Sequence, residues 1–166
     1  CTINIAGNEG FGLTTAESIM AGVPAIINIT GGLQDQCGLT VDGVELTAED
    51  YVKYGSLHNY RDWEDKVDHG DWVKPVWPRV QTMVGSVPTP YIIDDKVDVY
   101  EVADAIRYWY DKTPKERKER GLKGREWMMQ KDGLNSKHMC KTMSDGIESA
   151  ISNWKPKKRY EIYKLA

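Results

Sequence analysis

The sequence contains no apolar stretch long enough to span a membrane. Its longest apolar run, residues 21–29, is interrupted by Gly22, Pro24 and Asn28. A bilayer helix needs about 20 consecutive apolar residues. The run therefore predicts a buried strand, and no transmembrane segment is expected.

The sequence also has little net charge, because 22 Lys and Arg stand against 25 Asp and Glu and give −3 at pH 7. This balance argues against direct binding to nucleic acid. The basic residues of the predicted tail, 155–166, are Lys155, Lys157, Lys158, Arg159 and Lys164. We interpret this tail as a solvated end, and contact with phosphate or an anionic membrane is the alternative.

Cysteine is scarce, with Cys1, Cys37 and Cys140 far apart and without the spacing of metal ligands. A disulfide scaffold is therefore excluded, and we expect neither a metal nor a cofactor. Free thiols fit a cytoplasmic protein, with a peripheral position at a membrane as an alternative. Because the chain begins inside a predicted strand and without Met, we expect it to be truncated at its N-terminus.

Strand and helix signals alternate over the first forty residues, which is typical of a βαβ unit with a parallel sheet. The order is a strand over 1–6, a glycine-dense turn over 7–12, a helix from Leu13 or Thr14 to a stop at Gly22, and a strand over 23–29. A second glycine turn, Gly31 and Gly32, follows the second strand. Both turns should lie at the same end of the sheet, where ligands bind in such folds.

Residues 38–96 lose this pattern and predict an irregular, acidic insertion with short strands near 80–84 and 91–93. Its aromatic residues include Tyr51, Tyr54, Tyr60, Trp63, Trp72 and Trp77. They are interpreted as a small core of the insertion, and a lid or partner surface is the alternative.

Three helices are predicted after the insertion. The first is capped by Asp98 with Glu101, the second begins at Thr113 and Pro114 and reaches about residue 131, and the third spans about 135–154. One side of the first helix carries an apolar stripe of Val99, Val102, Ala103, Ile106 and Tyr110. The third carries a stripe of Met139, Met143, Ile147, Ala150, Ile151 and Trp154, part of which we expect to be exposed. Residues 1–154 are predicted to form one domain.

The segment with the most chemical information places two carboxylates, Glu9 and Glu17, around a glycine turn and a helix N-terminus. A helix N-terminus attracts phosphate. Carboxylates would repel phosphate, but each can accept hydrogen bonds from two neighbouring hydroxyls. A pyrophosphate with a diol on each side, as in a nucleoside-diphosphate sugar, fits this arrangement. The alternative for Thr14 and Glu17 is a structural capping box.

These residues resemble the C-terminal domain of retaining glycosyltransferases of the GT-B fold, with its Glu-x7-Glu signature. The matching positions are Glu9, Gly10, Phe11, Gly12, Leu13, Glu17, residues 21–24, Gly31 and Gly32. The resemblance covers residues 3–32 and continues from residue 97 onward. It implies a Rossmann-like parallel sheet flanked by helices, interrupted by the insertion.

The resemblance implies transfer of a sugar from a nucleoside-diphosphate sugar with retention of configuration and without a bound metal. Glu9 would hold the sugar hydroxyls, and Glu17 would hold the ribose. The sugar oxygens and the distal phosphate would be bound by the backbone amides of Gly10, Phe11, Gly12 and Leu13. The phosphate would also accept hydrogen bonds from the hydroxyls of Thr14 and Thr15. The family's phosphate-binding Arg and Lys, its base-recognition loop and its acceptor domain lie upstream of this segment. The chain alone is therefore expected not to turn over.

No motif supports Arg79, Lys96 or Arg125 as substitutes for the family's phosphate-binding residues. A nucleotide-sugar epimerase on the same fold and a non-catalytic interaction module remain as alternative functions.

Overall fold

The computed structural model describes residues 1–46, 50, 64–130 and 134–156. The chain divides into two compact units, residues 1–129 and 130–166. Four predicted insertion aromatics, Tyr51, Tyr54, Tyr60 and Trp63, and residues 157–166 of the predicted tail lie outside the described residues.

The described strands are β1 (Thr2–Asn4), β2 (Ala25–Asn28), β3 (Thr40–Val41), β4 (Val44–Glu45), β5 (Val73–Val76), β6 (Pro78–Ser86) and β7 (Thr89–Val97). The described helices are α1 (Leu13–Met20), a 3-10 helix (Gly31–Gln36), α2 (Val99–Asp111), α3 (Pro114–Gln130) and α4 (Ser136–Asn153).

The central sheet has the strand order β1-β2-β5, and both pairings are parallel. All four residues of β2 are buried, because the strand lies between two neighbours and under helices. Asn4 of β1 contacts α1, whereas Ile26, which pairs with Ile3, packs with α2. Since successive side chains alternate between faces, α1 and α2 cover opposite faces. The predicted α/β class with a parallel sheet is confirmed.

Helix α1 begins at Leu13, as predicted, and its end is fixed by Gly22. The N–H of Gly22 donates to the Ile19 carbonyl at 2.8 Å, and the N–H of Val23 donates to the Ser18 carbonyl at 3.0 Å. This double hydrogen bond is the Schellman arrangement. It turns the chain directly into β2.

The short strands predicted near 80–84 and 91–93 are confirmed and are longer than expected, but the rest of the second half of residues 38–96 is less irregular than predicted. Residues 73–76 form β5 of the central sheet, and β6 and β7 form an antiparallel hairpin with nine residues in each strand. Strand β5 escaped prediction because it is short and contains Pro75. A proline is tolerated there because β5 is at the edge of the described sheet.

Trp72 and Trp77 are buried, which agrees with a core role for these two insertion aromatics. Trp72 packs against Trp127 of α3 with ring centroids 4.9 Å apart, and its Nε1 donates to the Gln36 carbonyl at 3.1 Å. Trp72 therefore joins the 3-10 helix to α3.

Helix α2 has the predicted cap, since the Asp98 carboxylate accepts the N–H groups of Tyr100 and Glu101. The predicted apolar stripe does not mark the buried side of α2, although Val102 is partly buried against the core. Val99 and Tyr110 are 71% and 81% exposed, and Ile106 is also exposed. Ala105 and Trp109 are buried instead, against Ile26 and Val76. The apolar arc of α2 is wider than the part of it that β2 and β5 cover, so composition alone did not identify the buried side.

Helix α3 begins after the predicted cap, Thr113, which forms a capping box with Glu116. Thr113 donates its N–H and Oγ1 to Glu116 Oε2 at 2.7 and 2.8 Å, and the Glu116 N–H donates back to Thr113 Oγ1 at 3.2 Å. These reciprocal bonds satisfy two groups that the helix itself leaves unpaired.

Helix α4 is capped by Asn135, whose side chain accepts the N–H of His138. None of its residues is buried. The predicted exposure of its apolar stripe is confirmed, with the large side chains between 48% and 72% exposed.

Candidate functional site

The two glycine turns meet at the carboxyl end of the parallel sheet, as predicted. The N–H of Gly32 donates to the Glu9 carbonyl at 3.1 Å. The contact is so close that a Cβ on Gly32 would lie 2.7 Å from the Phe11 Cα and overlap the Gly10 carbonyl oxygen. The two turns therefore form one continuous surface.

The N-terminus of α1 opens onto this surface. Its N-cap is Gly12, with φ of 82°, and no side chain caps the helix. The Gly12 carbonyl accepts the N–H groups of Thr15 and Ala16. The N–H groups of Leu13 and Thr14 have no intrahelical acceptor, as is usual for a first turn. Together with the helix dipole they make a site suited to an anion.

The capping-box interpretation of Thr14 and Glu17 is wrong. Thr14 is already the second residue of the helix, so its side chain is not at the N-cap position. Glu17 is exposed and Glu9 is half-buried. Among the residues that the structure describes, neither carboxylate makes a hydrogen bond or ion pair. Both can accept hydrogen bonds from a ligand.

The remaining predicted residues follow the turn into the helix. Gly10, Phe11, Leu13 and Thr14 are exposed, and Gly12 is buried. Thr15 is 1% exposed, and its Oγ1 accepts a hydrogen bond from Asn4 Nδ2 at 2.9 Å. Since this hydroxyl faces the sheet, the expectation that Thr15 contributes to phosphate binding is wrong.

Gln36, at the end of the 3-10 helix, supports the first turn and was not identified from the sequence. Its fully buried side chain donates from Nε2 to the Phe11 carbonyl and to the Gly12 carbonyl, the latter at 3.3 Å. The Oε1 atom of Gln36 and the Oδ1 atom of Asn28 are buried and have no hydrogen-bond partner among the described residues. An asparagine inside the apolar run of β2 was the sequence signal for buried polar chemistry here.

The cationic side chains considered earlier are engaged elsewhere or exposed. Arg79 Nη1 lies 2.8 Å from Glu64 Oε2, and Arg79 Nε donates to Glu101 Oε1 at 2.6 Å. Partial burial opposes the charge of Arg79, but the hydrogen bonds to both carboxylates raise its pKa above the ordinary value. Lys96 pairs with Asp94. The first basic residue in the sequence is Lys53, so the glycine turns contain none.

Among the described residues, no group of three or more His, Cys, Asp or Glu could hold a metal ion. Within the same residues, no helix is long and apolar enough to cross a bilayer. All three cysteines are free; Cys1 and Cys140 are exposed, and burial raises the pKa of the Cys37 thiol.

The site therefore consists of an uncapped helix N-terminus and a second glycine turn in contact with the first, with Glu9 before the helix and Glu17 within it, neither paired in the described part of the chain. A scan against known protein families finds no match for the chain. A search of curated proteins likewise finds no similar protein.

Proposed function

We propose that this chain is the donor-binding part of a retaining glycosyltransferase of the GT-B fold, acting on a nucleoside-diphosphate sugar. The observation that carries the proposal is the pair of carboxylates without a partner among the described residues, Glu9 before the uncapped N-terminus of α1 and Glu17 within α1. The resemblance of residues 3–32 to that family supports it. The acceptor would be held by a separate N-terminal domain, and no metal is required.

In this proposal the free N–H groups at the start of α1 bind the distal phosphate, helped by the exposed Thr14 hydroxyl. When the bond between sugar and phosphate breaks, negative charge grows on the pyrophosphate. Hydrogen-bond donors that are already fixed in place stabilise that charge more than they stabilise the ground state. The bonds from Gln36 to the Phe11 and Gly12 carbonyls keep these donors in place.

The two carboxylates have different tasks. Glu9 binds hydroxyls of the donor sugar close to the reacting carbon, where positive charge develops as the leaving group departs. Its hydrogen bonds are therefore worth most in the transition state. Glu17, exposed on α1, binds the ribose diol and contributes to affinity.

The test compares Glu17→Gln and Glu9→Gln with the matched control Glu148→Gln, whose side chain is exposed on α4. Gln offers one acceptor oxygen in place of two, so Glu17→Gln should lower nucleotide-sugar affinity roughly tenfold. Glu9→Gln should lower turnover about 10²-fold when the acceptor domain is present. Calorimetry with UDP-, GDP- and ADP-hexoses measures binding, and thermal unfolding should change little in all three variants.

The alternative of a non-catalytic interaction module is favoured by one observation. The hairpin β6–β7 exposes large apolar side chains, with Met83 at 70%, Val87 at 98% and Tyr91 at 77%. Unchanged binding and turnover in both glutamate variants would exclude the glycosyltransferase site and favour this module. A nucleotide-sugar epimerase would also bind the nucleotide sugar and lose affinity in Glu17→Gln, but it would transfer no sugar to an acceptor.

A further inference from the structure

One residue of the hairpin, Asp95 in β7, is hydrogen-bonded to the segment that follows β1 and to the end of β2. Its N–H donates to the Gly7 carbonyl at 2.8 Å, and its own carbonyl accepts from Asn28 Nδ2 at 3.3 Å. Its Oδ2 accepts from Thr30 Oγ1 at 2.6 Å, and its Oδ1 accepts from Gln81 Nε2 at 2.7 Å. Asp95 therefore uses backbone and side chain together to join β7 to β6, to β2 and to the segments that follow β1 and β2.

The residues that Asp95 holds lead directly into the two glycine turns. Gly7 is two positions before Glu9, and Thr30 is the N-cap of the 3-10 helix that begins at Gly31. The approach at Gly7 is close, because a Cβ there would lie 2.8 Å from the Asp95 carbonyl oxygen. A displacement of Asp95 would move the starting points of both turns.

We propose that Asp95 is a positioning residue for the site formed by the two turns, acting through Gly7 and Thr30. This inference rests on the proposed function as far as catalysis is concerned. The hairpin, which departs from the resembled family, thereby sets the place of Glu9 relative to the N–H groups of α1. Asp95 itself does not contact the donor.

The neighbouring residue provides a matched control. Asp94 is also a partly buried carboxylate of β7, and its Cβ lies 3.3 Å from where a Cβ on Gly7 would stand. Its carboxylate pairs with Lys96 at 3.0 Å and, among the described residues, makes no hydrogen bond to either turn, so it controls for packing without the hydrogen bonds. Since adjacent residues of a strand face opposite sides, Asp94 cannot replace the contacts of Asp95. Asp95→Ala and Asp94→Ala therefore remove the same group from two sides of one strand.

The first measurement is amide hydrogen exchange at Gly32, whose N–H reports the contact with the Glu9 carbonyl. Asp95→Ala should speed this exchange about tenfold or more, because local opening becomes easier. The internal reference is the Ala25 amide, bonded to the Trp72 carbonyl at the other end of β2. Asp94→Ala should leave both amides unchanged. Equal acceleration at Gly32 and Ala25, or the same effect in Asp94→Ala, would overturn the proposal.

Graded variants separate positioning from simple loss of fold. In Asp95→Asn, Oδ1 can still accept a hydrogen bond from Gln81 and Nδ2 can donate one to Thr30. The exchange rate of the Gly32 amide in this variant should therefore lie between the rates in wild type and in Asp95→Ala. Thr30→Val combined with Asp95→Ala should add little to Asp95→Ala alone, because the two residues share one hydrogen bond. Fully additive effects would contradict the inferred route through Thr30.

The second measurement is kinetic and uses the same panel of nucleotide hexoses with the acceptor domain present. Misplaced turns should lower kcat about tenfold in Asp95→Ala while KM changes less, since Glu9 acts chiefly in the transition state. A rise in KM with kcat unchanged would refute the positioning role. If wild type binds no nucleotide sugar, the proposed function fails, and the exchange at Gly32 still decides whether Asp95 holds the turns.

Discussion

At the scale of single residues, the site depends on the absence of a side chain at position 32. Gly32 donates its N–H to the Glu9 carbonyl, and its Cα lies against the backbone of the first turn. At Gly10, in that first turn, no atom of the part of the chain that the structure describes lies within 4 Å of where a Cβ would stand. The two glycines lie on one surface but differ in whether there is space for a side chain.

Gly32→Ala should consequently destabilise the fold by about 1–3 kcal/mol, the usual cost of forcing a methyl group into a packed site. Gly10→Ala is the control and should change the free energy of unfolding by less than about 0.5 kcal/mol. Urea unfolding of both variants gives the comparison. Equal stabilities of Gly32→Ala and Gly10→Ala would show that the two turns are not in contact.

The distance of a residue from the glycine turns along the sequence explains which site residues could be predicted. Glu9, Glu17 and the glycines belong to one continuous stretch, so their spacing alone indicated a ligand site. Gln36 and Asp95 act on that stretch from positions distant in sequence, and neither is part of a motif. Their role depends on which strand ends meet, which only the folded chain shows.

At the scale of elements, local signals predicted the ends of helices correctly. These signals need only residues within one helical turn, as in the end of α1 at Gly22, the N-cap of α2 at Asp98 and the start of α3 at Thr113. Strand β5 was missed because it is defined by pairing with β2, through Ala25 and Val73 among others. A short strand containing a proline has no periodic signal strong enough to indicate such a partner.

The capping box of α3 predicts a pH dependence. Hydrogen bonds from the Thr113 N–H and hydroxyl hold the pKa of Glu116 below its ordinary value of 4.5. A carboxyl with a depressed pKa stabilises the fold above that ordinary value, and this contribution is lost as the pH falls through the lower, folded-state pKa. Glu116→Gln should therefore unfold at a lower temperature than wild type at pH 7. Below pH 4.5 the difference in melting temperature between wild type and Glu116→Gln should narrow. It should close once Glu116 is protonated in both the folded and the unfolded state.

Glu119→Gln supplies the control for this series, since Glu119 is exposed and has only a 3.8 Å ion pair with Lys115. Its melting temperature should follow wild type closely at every pH. If the melting temperature of Glu116→Gln stays equally far below that of wild type at acidic pH, the charge of the Glu116 carboxylate is not what stabilises the capping box.

At the scale of the whole molecule, the second unit contributes a helix without a buried residue. Large apolar side chains follow one side of α4, among them Ile147 at 56%, Ile151 at 71% and Trp154 at 72% exposed. Contiguous exposed apolar surface of this kind is uncommon on proteins that stay monomeric.

We expect the chain to associate at high concentration through this stripe. Replacing Ile147 and Ile151 together by Lys should shift sedimentation toward the monomer, because association would then bury charge. Ser152→Lys adds one positive charge, half that of the double variant, on the opposite side of α4 and should leave association unchanged. A wild-type chain that remains monomeric at every concentration tested would contradict this expectation.

The hairpin β6–β7 also has a consequence for the order of folding. Its strands are neighbours in the chain and pair through residues such as Met83 and Ile93, and hairpins form in about 1–10 μs. The parallel pairing of β2 with β5 must first close a long loop, which slows it. Pulse-labelled exchange should show amides of β6 and β7 protected before those of β2, and simultaneous protection would contradict this order. Asp95 would then reach Gly7 and Thr30 on a strand already formed, so the two turns acquire their final geometry late in folding.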